Sequence, residues 1–239
     1  MKEQIRKSIG DKNYRRLQEI YASIRGGFFS FRRLIFEIFG SARYSKVALG
    51  GLDDKLAPYL NFREGVFIEA GANDGVSQSN TYYLEKTLGW SGVLVEPVPR
   101  LFNKCRKNRR RSRVFNCALV SPESAGTGVM ICDKGDRGLL SCVATGEGAT
   151  EGAPSEVVGR TLTSVLEAAG LSRVDFFSLD VEGYELEVFK GLALARFAPR
   201  YILVETARVE KVDDVLCPAY ERIAQLTFHD YLYRISNNV

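Results

Sequence analysis

The chain has 239 residues, 45% hydrophobic and 26% charged, which suits one α/β domain with an extension and excludes wholesale disorder. Its five cysteines (Cys105, Cys117, Cys132, Cys142, Cys217) form no C-x-x-C and His229 is the single histidine, so neither a zinc site nor a disulfide framework is indicated. The net charge of +4 is uneven: residues 1–46 hold eleven Lys/Arg against four Asp/Glu, and the remainder is slightly acidic.

Residues 1–40 read as helical, with Ile5, Ile9, Leu17, Ile20 and Ile24, then Phe28, Phe31, Leu34, Ile35 and Ile38 at helical spacings around Gly26-Gly27. Arginines and lysines fill the gaps. The segment suits either an extension docked on the main domain or a second subunit, or a helix pair contacting a membrane surface through residues 1–46. The N-terminus is polar, without the apolar stretch of a secretory leader, and no apolar run reaches a membrane-spanning length of roughly 20 residues. The expected location is therefore cytoplasmic, with a peripheral position at the inner membrane face if the basic helices bind lipid. The expected division is a basic helical extension over 1–60 and a second domain over 61–239.

From Val66 onward, strands alternate with helices. Val66–Glu69 is a strand entering Gly71-Ala72-Asn73-Asp74-Gly75, and 78–88 suit a helix. Val93–Glu96 is a short strand ending in an acid. Residues 100–110 suit a helix, Arg113–Leu119 a strand and Val129–Cys132 another. The stretch 144–159 is Gly/Ala-rich and reads as a mobile loop, either a lid or a surface insertion. Thr161–Ala169 is a helix stopped by Gly170, Val174–Asp180 a strand, Tyr184–Lys190 a helix and Tyr201–Glu205 a strand. Residues 213–226 read as the last helix and Asp230–Ser236 as the last strand. This alternation predicts a mostly parallel α/β sheet covered on both faces, with strand C-termini on one ligand-binding edge. Glu69, Glu96, Asp180 and Glu205 all fall at those ends.

A strand, a Gly turn and a second strand ending in an acid suit a ligand with a ribose, because a carboxylate accepts both hydroxyls. Glu96 lies 25 residues past Gly71, near the expected spacing of about 20. Asp74 at the helix start would repel a dinucleotide's pyrophosphate, and Glu69 argues the same way. A cationic ligand end, such as the ammonium of S-adenosylmethionine, fits better. A tight strand-to-helix turn made by Gly71 and Gly75 is the plain structural alternative.

The segments FIEAGANDG, GVLVEPVP, VDFFSLDVEGYELEVFKG and YILVET, with the helix TLTSVLEAAGL, resemble the FkbM family of S-adenosylmethionine-dependent methyltransferases from about Val66 to the C-terminus. The family commonly has Asp where this chain has Glu69, and often an acid or amide at the position of Thr163. The resemblance implies the class I methyltransferase fold, a Rossmann-like and mostly parallel sheet of seven strands. This sequence ends at SNNV, just after the sixth strand in the present reading, so the last strand is expected to be missing or replaced. An exposed or differently paired edge near 230–239, a site of instability or self-association, follows.

The resemblance further implies that Glu69, Gly71, Asn73 and Gly75, with Asp74 at the turn, hold the methionine end. Glu96 with Pro97 would take the ribose, and Ala118 would flank the adenine. The reaction implied is O-methylation, often of sugar hydroxyls in glycans, glycolipids or secondary metabolites. A hydroxyl acceptor needs a base. Asp180 is the candidate, with Glu182 and Glu205 as alternates; Asp180 as a cofactor contact only, and Glu182 as a helix N-terminal acid, remain open. Three clustered carboxylates also suit a divalent metal such as Mg²⁺. His229 is expected to be a surface or satisfied residue. Tyr82, Tyr83, Trp90 and Tyr184 form either a sugar-stacking platform or part of the core. Eight cations and no acid between Arg100 and Arg113 suit a solvated face, with an RNA-binding methyltransferase as the alternative. A non-catalytic, membrane-peripheral cofactor-binding scaffold is the reading outside the enzyme class.

Overall fold

The computed structural model describes residues 14, 27–133, 153–217 and 219–236. The chain divides into two compact units, Met1–Ser45 and Lys46–Val239. In the first, residues 27–38 are helical, and the Phe29 and Phe36 rings meet the Tyr44 ring edge-on. Most of the periodic stretch before Gly26 lies outside the described residues.

The second unit begins earlier than the expected boundary at residue 61. Its first helix, α1 (Leu52–Leu60), buries Leu52, Leu56 and Leu60, one residue per turn of a single face, among Phe67, Trp90, Leu94 and Leu203. In its first turn, Asp53 accepts the backbone N–H of the preceding Ala48 at 2.8 Å.

A seven-stranded sheet follows in the order β3-β2-β1-β7-β8-β10-β9. Its members are β1 (Val66–Ala70), β2 (Ser91–Val95), β3 (Arg113–Phe115), β7 (Phe176–Leu179), β8 (Tyr201–Glu205), β9 (Tyr220–Gln225) and β10 (Asp230–Ile235). The first five are parallel; β10 runs antiparallel to both neighbours. Successive strand residues reach opposite faces, so Phe67, Phe176 and Leu203 join one core while Ile68, Phe177, Ile202 and Val204 join the other. That two-sided burial is why these strands read as unbroken apolar runs. The helices between them are α2 (Tyr82–Leu88), α3 (Pro99–Asn108), α4 (Leu162–Ala168), α5 (Glu185–Lys190), α6 (Leu194–Phe197) and α7 (Val209–Leu216). A second, three-stranded sheet has the order β4-β6-β5, from β4 (Ala118–Leu119), β5 (Gly128–Asp133) and β6 (Ala153–Arg160).

Four expectations need correction. The helix read over 213–226 ends at Leu216, and Tyr220–Gln225 is a strand. Pro218 in the sequence forbids helix continuation, and β9 pairs on one side only, so it exposes Glu221, Arg222 and Gln225 and shows no apolar alternation. Consequently the sheet is not missing its last strand. β10 inserts between β8 and β9, with Leu232 and Tyr233 fully buried, and the edge is the charged strand β9. Arg113–Leu119 is two strands, because the chain leaves one sheet for the other after Phe115. Finally, part of the 144–159 loop is strand: 153–160 form β6, hydrogen-bonded to β5, while 144–152 lie outside the described residues.

Leu232→Ala should lower stability by about 2–5 kcal/mol in urea denaturation, as expected for a fully buried leucine and not for an exposed edge. Burial pushes the Asp53 carboxyl up to about 6 from an ordinary 3.8, against the opposing Ala48 hydrogen bond. Because the folded value is the higher one, Asp53 contributes fully below pH 3.8 and its contribution is lost as pH rises through 6. Asp53→Asn should therefore flatten the fall in stability between pH 4 and 6, about 3 kcal/mol at most, when denaturation is followed across that range.

Candidate active site

The strand ends build the site. After β1, Gly71 and Ala72 both donate backbone N–H groups to the Val95 carbonyl, at 3.1 Å each. Gly71 has φ 82°, and a Cβ there would sit 1.8 Å from the backbone oxygen of Asp180. The turn therefore lies directly against the end of β7, an approach only glycine permits. Glu96, past the end of β2, accepts the backbone N–H of Asn73 at 2.7 Å on one oxygen and that of Val98 at 2.8 Å on the other. Asn116 donates to the carbonyls of Glu96 and Pro97 at 2.9 and 2.8 Å. Glu96 thus fastens two loops together at the rim of an open cleft.

Beneath the turn is a residue that the sequence reading grouped with solvated cations. Arg109 is fully buried. Its Nε donates to Glu85 at 3.0 Å, its Nη1 to the Gly75 carbonyl and Ser79 Oγ at 3.0 Å each, and its Nη2 to Thr81 Oγ1 at 2.8 Å. A longer contact of 3.4 Å reaches Glu69. Glu69 also accepts Ser79 Oγ at 2.9 Å, Thr81 Oγ1 at 2.6 Å and the Asn80 N–H at 2.9 Å. The sequence does carry a signal for this: Arg109 continues the buried stripe Leu101–Cys105 of α3 at a spacing of four.

The cleft encloses about 980 Å³ of space open to solvent. Glu69, Gly71, Asn73, Glu96, Pro97, Ala118, Asp180 and Glu182 all line it. One end is apolar, with Cys117, Ala118, Leu119 and Ile131; the other carries Asn80, Ser178 and Asp180. Asp74, Gly75 and Glu205 are not among the lining residues. Asp74 turns into its own loop, accepting the N–H groups of Val76 and Ser77 at 2.9 and 2.7 Å and Ser77 Oγ at 2.9 Å. Gly75 faces α3, where a Cβ would come within 2.8 Å of Arg109 Cγ and Cys105 Sγ. Trp90 and Tyr82 are core residues and Tyr83 faces a separate pocket beside α1, so no four-ring platform forms; Tyr184 alone of the four lines the cleft.

Glu205 backs Asp180 from the neighbouring strand. The register that pairs Leu179 with Val204 sets the two acids side by side. Burial, and then the Glu205 and Glu182 charges, hold Asp180 well above the usual carboxylate range; burial, and then Asp230, raise Glu205. Each of two carboxyls so placed disfavours ionisation of the other. His229 Nε2 lies 3.1 Å from Glu205 Oε1, so the sole histidine is, as expected, a surface residue with a partner, and that partner joins it to this group. Glu182 sits exposed in a left-handed conformation, φ 50°. Its turn is held by buried Glu185, which accepts the Gly183 N–H at 2.6 Å, and by Arg208, which donates to the Gly183 carbonyl. Glu185, the last acid of DVEGYE, is a supporting residue the sequence reading passed over. Among the described residues, no group of three His, Cys, Asp or Glu is disposed to hold a metal ion, and no helix is long and apolar enough to cross a membrane.

The sequence matches the model of the Methyltransferase FkbM domain over residues 69–235. No curated protein matches it. Among solved structures, a methyltransferase from Geobacter sulfurreducens is similar at TM-score 0.47 and 11% identity, covering 92% of this chain and 96% of that one. The METTL16 MTase domain is similar at TM-score 0.47 and 10% identity, covering 78% and 66%. TrmK from M. capricolum, solved with S-adenosyl-homocysteine, is similar at TM-score 0.39 and 11% identity, covering 77% and 68%.

Arg109→Ala would leave two buried carboxylates without their cation and should cost roughly 3–5 kcal/mol in a denaturation experiment. Arg110→Ala, on the exposed neighbour, should stay within about 0.5 kcal/mol.

Proposed function

The chain belongs to the FkbM methyltransferase family, whose domain model it matches over residues 69–235; it is an S-adenosylmethionine-dependent methyltransferase, and we propose that the methylated atom is a hydroxyl oxygen of a carbohydrate, glycolipid or secondary metabolite. The observation that carries this reading is Asp180, which lines the cleft with its backbone against the Gly turn and has Glu205 beside it on the neighbouring strand. An oxygen nucleophile must lose a proton as it attacks, and a carboxyl pair of raised affinity is suited to take it.

The residues fit the cofactor on their own evidence. The Glu96 carboxylate and Pro97 line the cleft, and so do the apolar Cys117, Ala118, Leu119 and Ile131, which suit the face of a purine. Glu96 with Pro97 would hold the ribose, Ala118 and its neighbours the adenine, and Gly71, Asn73 and Glu69 the amino-acid end. Bound there, the cofactor supplies an electrophilic methyl group. Asp74 and Gly75 would act indirectly, by shaping the turn that Asn73 belongs to. Asp180 is the base in this reading. Glu205 shares its proton, and Glu182 stands at the rim, where acceptor hydroxyls would enter.

S-adenosylhomocysteine should bind the protein with micromolar affinity in a calorimetric titration, and NADH should not bind. Glu96→Ala should lose that binding. Asp180→Asn should keep it while losing methyl transfer to a panel of sugar and glycolipid acceptors. Because Asp180 must be ionised to act and its affinity for the proton is raised, the rate should climb with pH above the usual carboxylate range. A rate already flat at pH 5 would remove Asp180 from the role.

A further inference from the structure

His229 is the only histidine in the chain, and it stands at the start of the antiparallel strand β10. Asp230, the first residue of β10, is paired in register with Glu205, the last of β8. That register brings the preceding imidazole to the same edge, with Nε2 at 3.1 Å from Glu205 Oε1. On its other side, Glu205 stands beside Asp180, because β7 and β8 pair Leu179 with Val204 and these two acids come next on each strand; Asp180 lines the cleft. Exposure rises along this path: Asp180 is half-buried, while the Glu205 and His229 side chains are 40% and 47% exposed.

We propose that Asp180, Glu205 and His229 form one proton relay from the cleft to the surface, with His229 as its outlet. The direction of flow rests on the hydroxyl-methylation reading. The proton leaves the acceptor oxygen as the oxygen–methyl bond forms, and it goes to a carboxyl oxygen of Asp180. Glu205 takes it from the adjacent Asp180 carboxyl and passes it to His229 Nε2. The imidazolium then releases a proton from Nδ1 to water, and water-mediated exchange of the remaining ring proton from Nε2 to Nδ1 restores the starting tautomer, with water the only other participant. Histidine suits that outlet because its ordinary affinity for protons lies near neutrality. Glu182 and Asp230 act on Asp180, and Asp230 and Glu185 act on Glu205. Arg208 stands at the adjoining turn, with Nη2 at 3.8 Å from Glu185 Oε2. His229 is a positioning and relay residue, not one that touches substrate.

A single histidine gives one unambiguous imidazole signal, so the path can be read by NMR without any acceptor. His229 is titrated by its ring resonances in the wild type, in Glu205→Gln and in Asp180→Asn. Both substitutions replace a carboxyl by its neutral isostere in a site where burial already favours the neutral form, so folding should be retained. Glu205→Gln should lower the His229 midpoint, and Asp180→Asn, one residue further along the path, should move it as well. Midpoints unchanged in both variants would overturn the relay, as would a shift in Glu205→Gln with none in Asp180→Asn, which would leave His229 paired but not linked to the cleft. The wild type is titrated with S-adenosylhomocysteine in parallel. Shifted midpoints without binding would spare the linkage and remove the cofactor reading; binding without shifts would do the reverse.

Discussion

The site depends on a buried cation. A guanidinium cannot be neutralised within a protein, so a fully buried Arg109 requires acceptors on all sides. It has them: a carboxylate on α2, the Gly75 carbonyl, and the Ser79 and Thr81 hydroxyls, with Glu69 beyond. The Phe67 and Tyr82 rings close over it, 5.2 and 5.7 Å from the guanidinium carbon. These partners come from β1, from the loop after the Gly turn and from α2, while the arginine follows the C-terminus of α3. One side chain therefore ties the turn's underside to two helices. Glu96 fastens its upper side through the Asn73 N–H. The cleft floor is held from both directions before any ligand arrives, and such preorganisation reduces the ordering that binding must supply.

This arrangement changes what the acids of VFIEAGANDG do. The sequence suggests that Glu69 and Asp74 are there to attract a cationic ligand end. In the folded chain Glu69 faces Arg109 and three protein donors, and Asp74 organises its own loop. Much of their role is to hold the turn. That Gly71 cannot carry a side chain follows from the neighbouring strand, since the obstacle is the Asp180 backbone and not a ligand.

The sequence makes β1, β2, β7 and β8 legible because strands buried on both faces must be apolar throughout, and the acid after each marks the edge where burial ends. It hides what depends on a partner distant in the chain. β9 looks helical because an edge strand needs no apolar alternation and its only hydrogen-bonded neighbour, β10, follows it. Arg109 looks like its neighbours Lys107 and Arg110 because composition does not reveal which cation of a run turns inward. His229 looks isolated because its partner Glu205 lies on another strand; only the antiparallel course of β10 brings the two together. In a parallel strand, the residue before the first would lie at the opposite end of the sheet from Glu205.

The carboxylates of the sheet edge divide by whether a buried cation stands among them. Glu69 and Glu85 have Arg109, a permanent charge with fixed geometry, and they serve to hold the turn in place. Asp180, Glu205 and Asp230 have no such cation and stand close enough that each disfavours ionisation of the next. Such a group is expensive to keep as pure structure, because replacing it by apolar side chains would relieve both the desolvation and the repulsion. In the proposed reading that cost is offset by transfer of the acceptor's proton to Asp180, which lines the cleft. The imidazole of His229, 3.1 Å from Glu205 Oε1, is then the outlet of the same group to solvent.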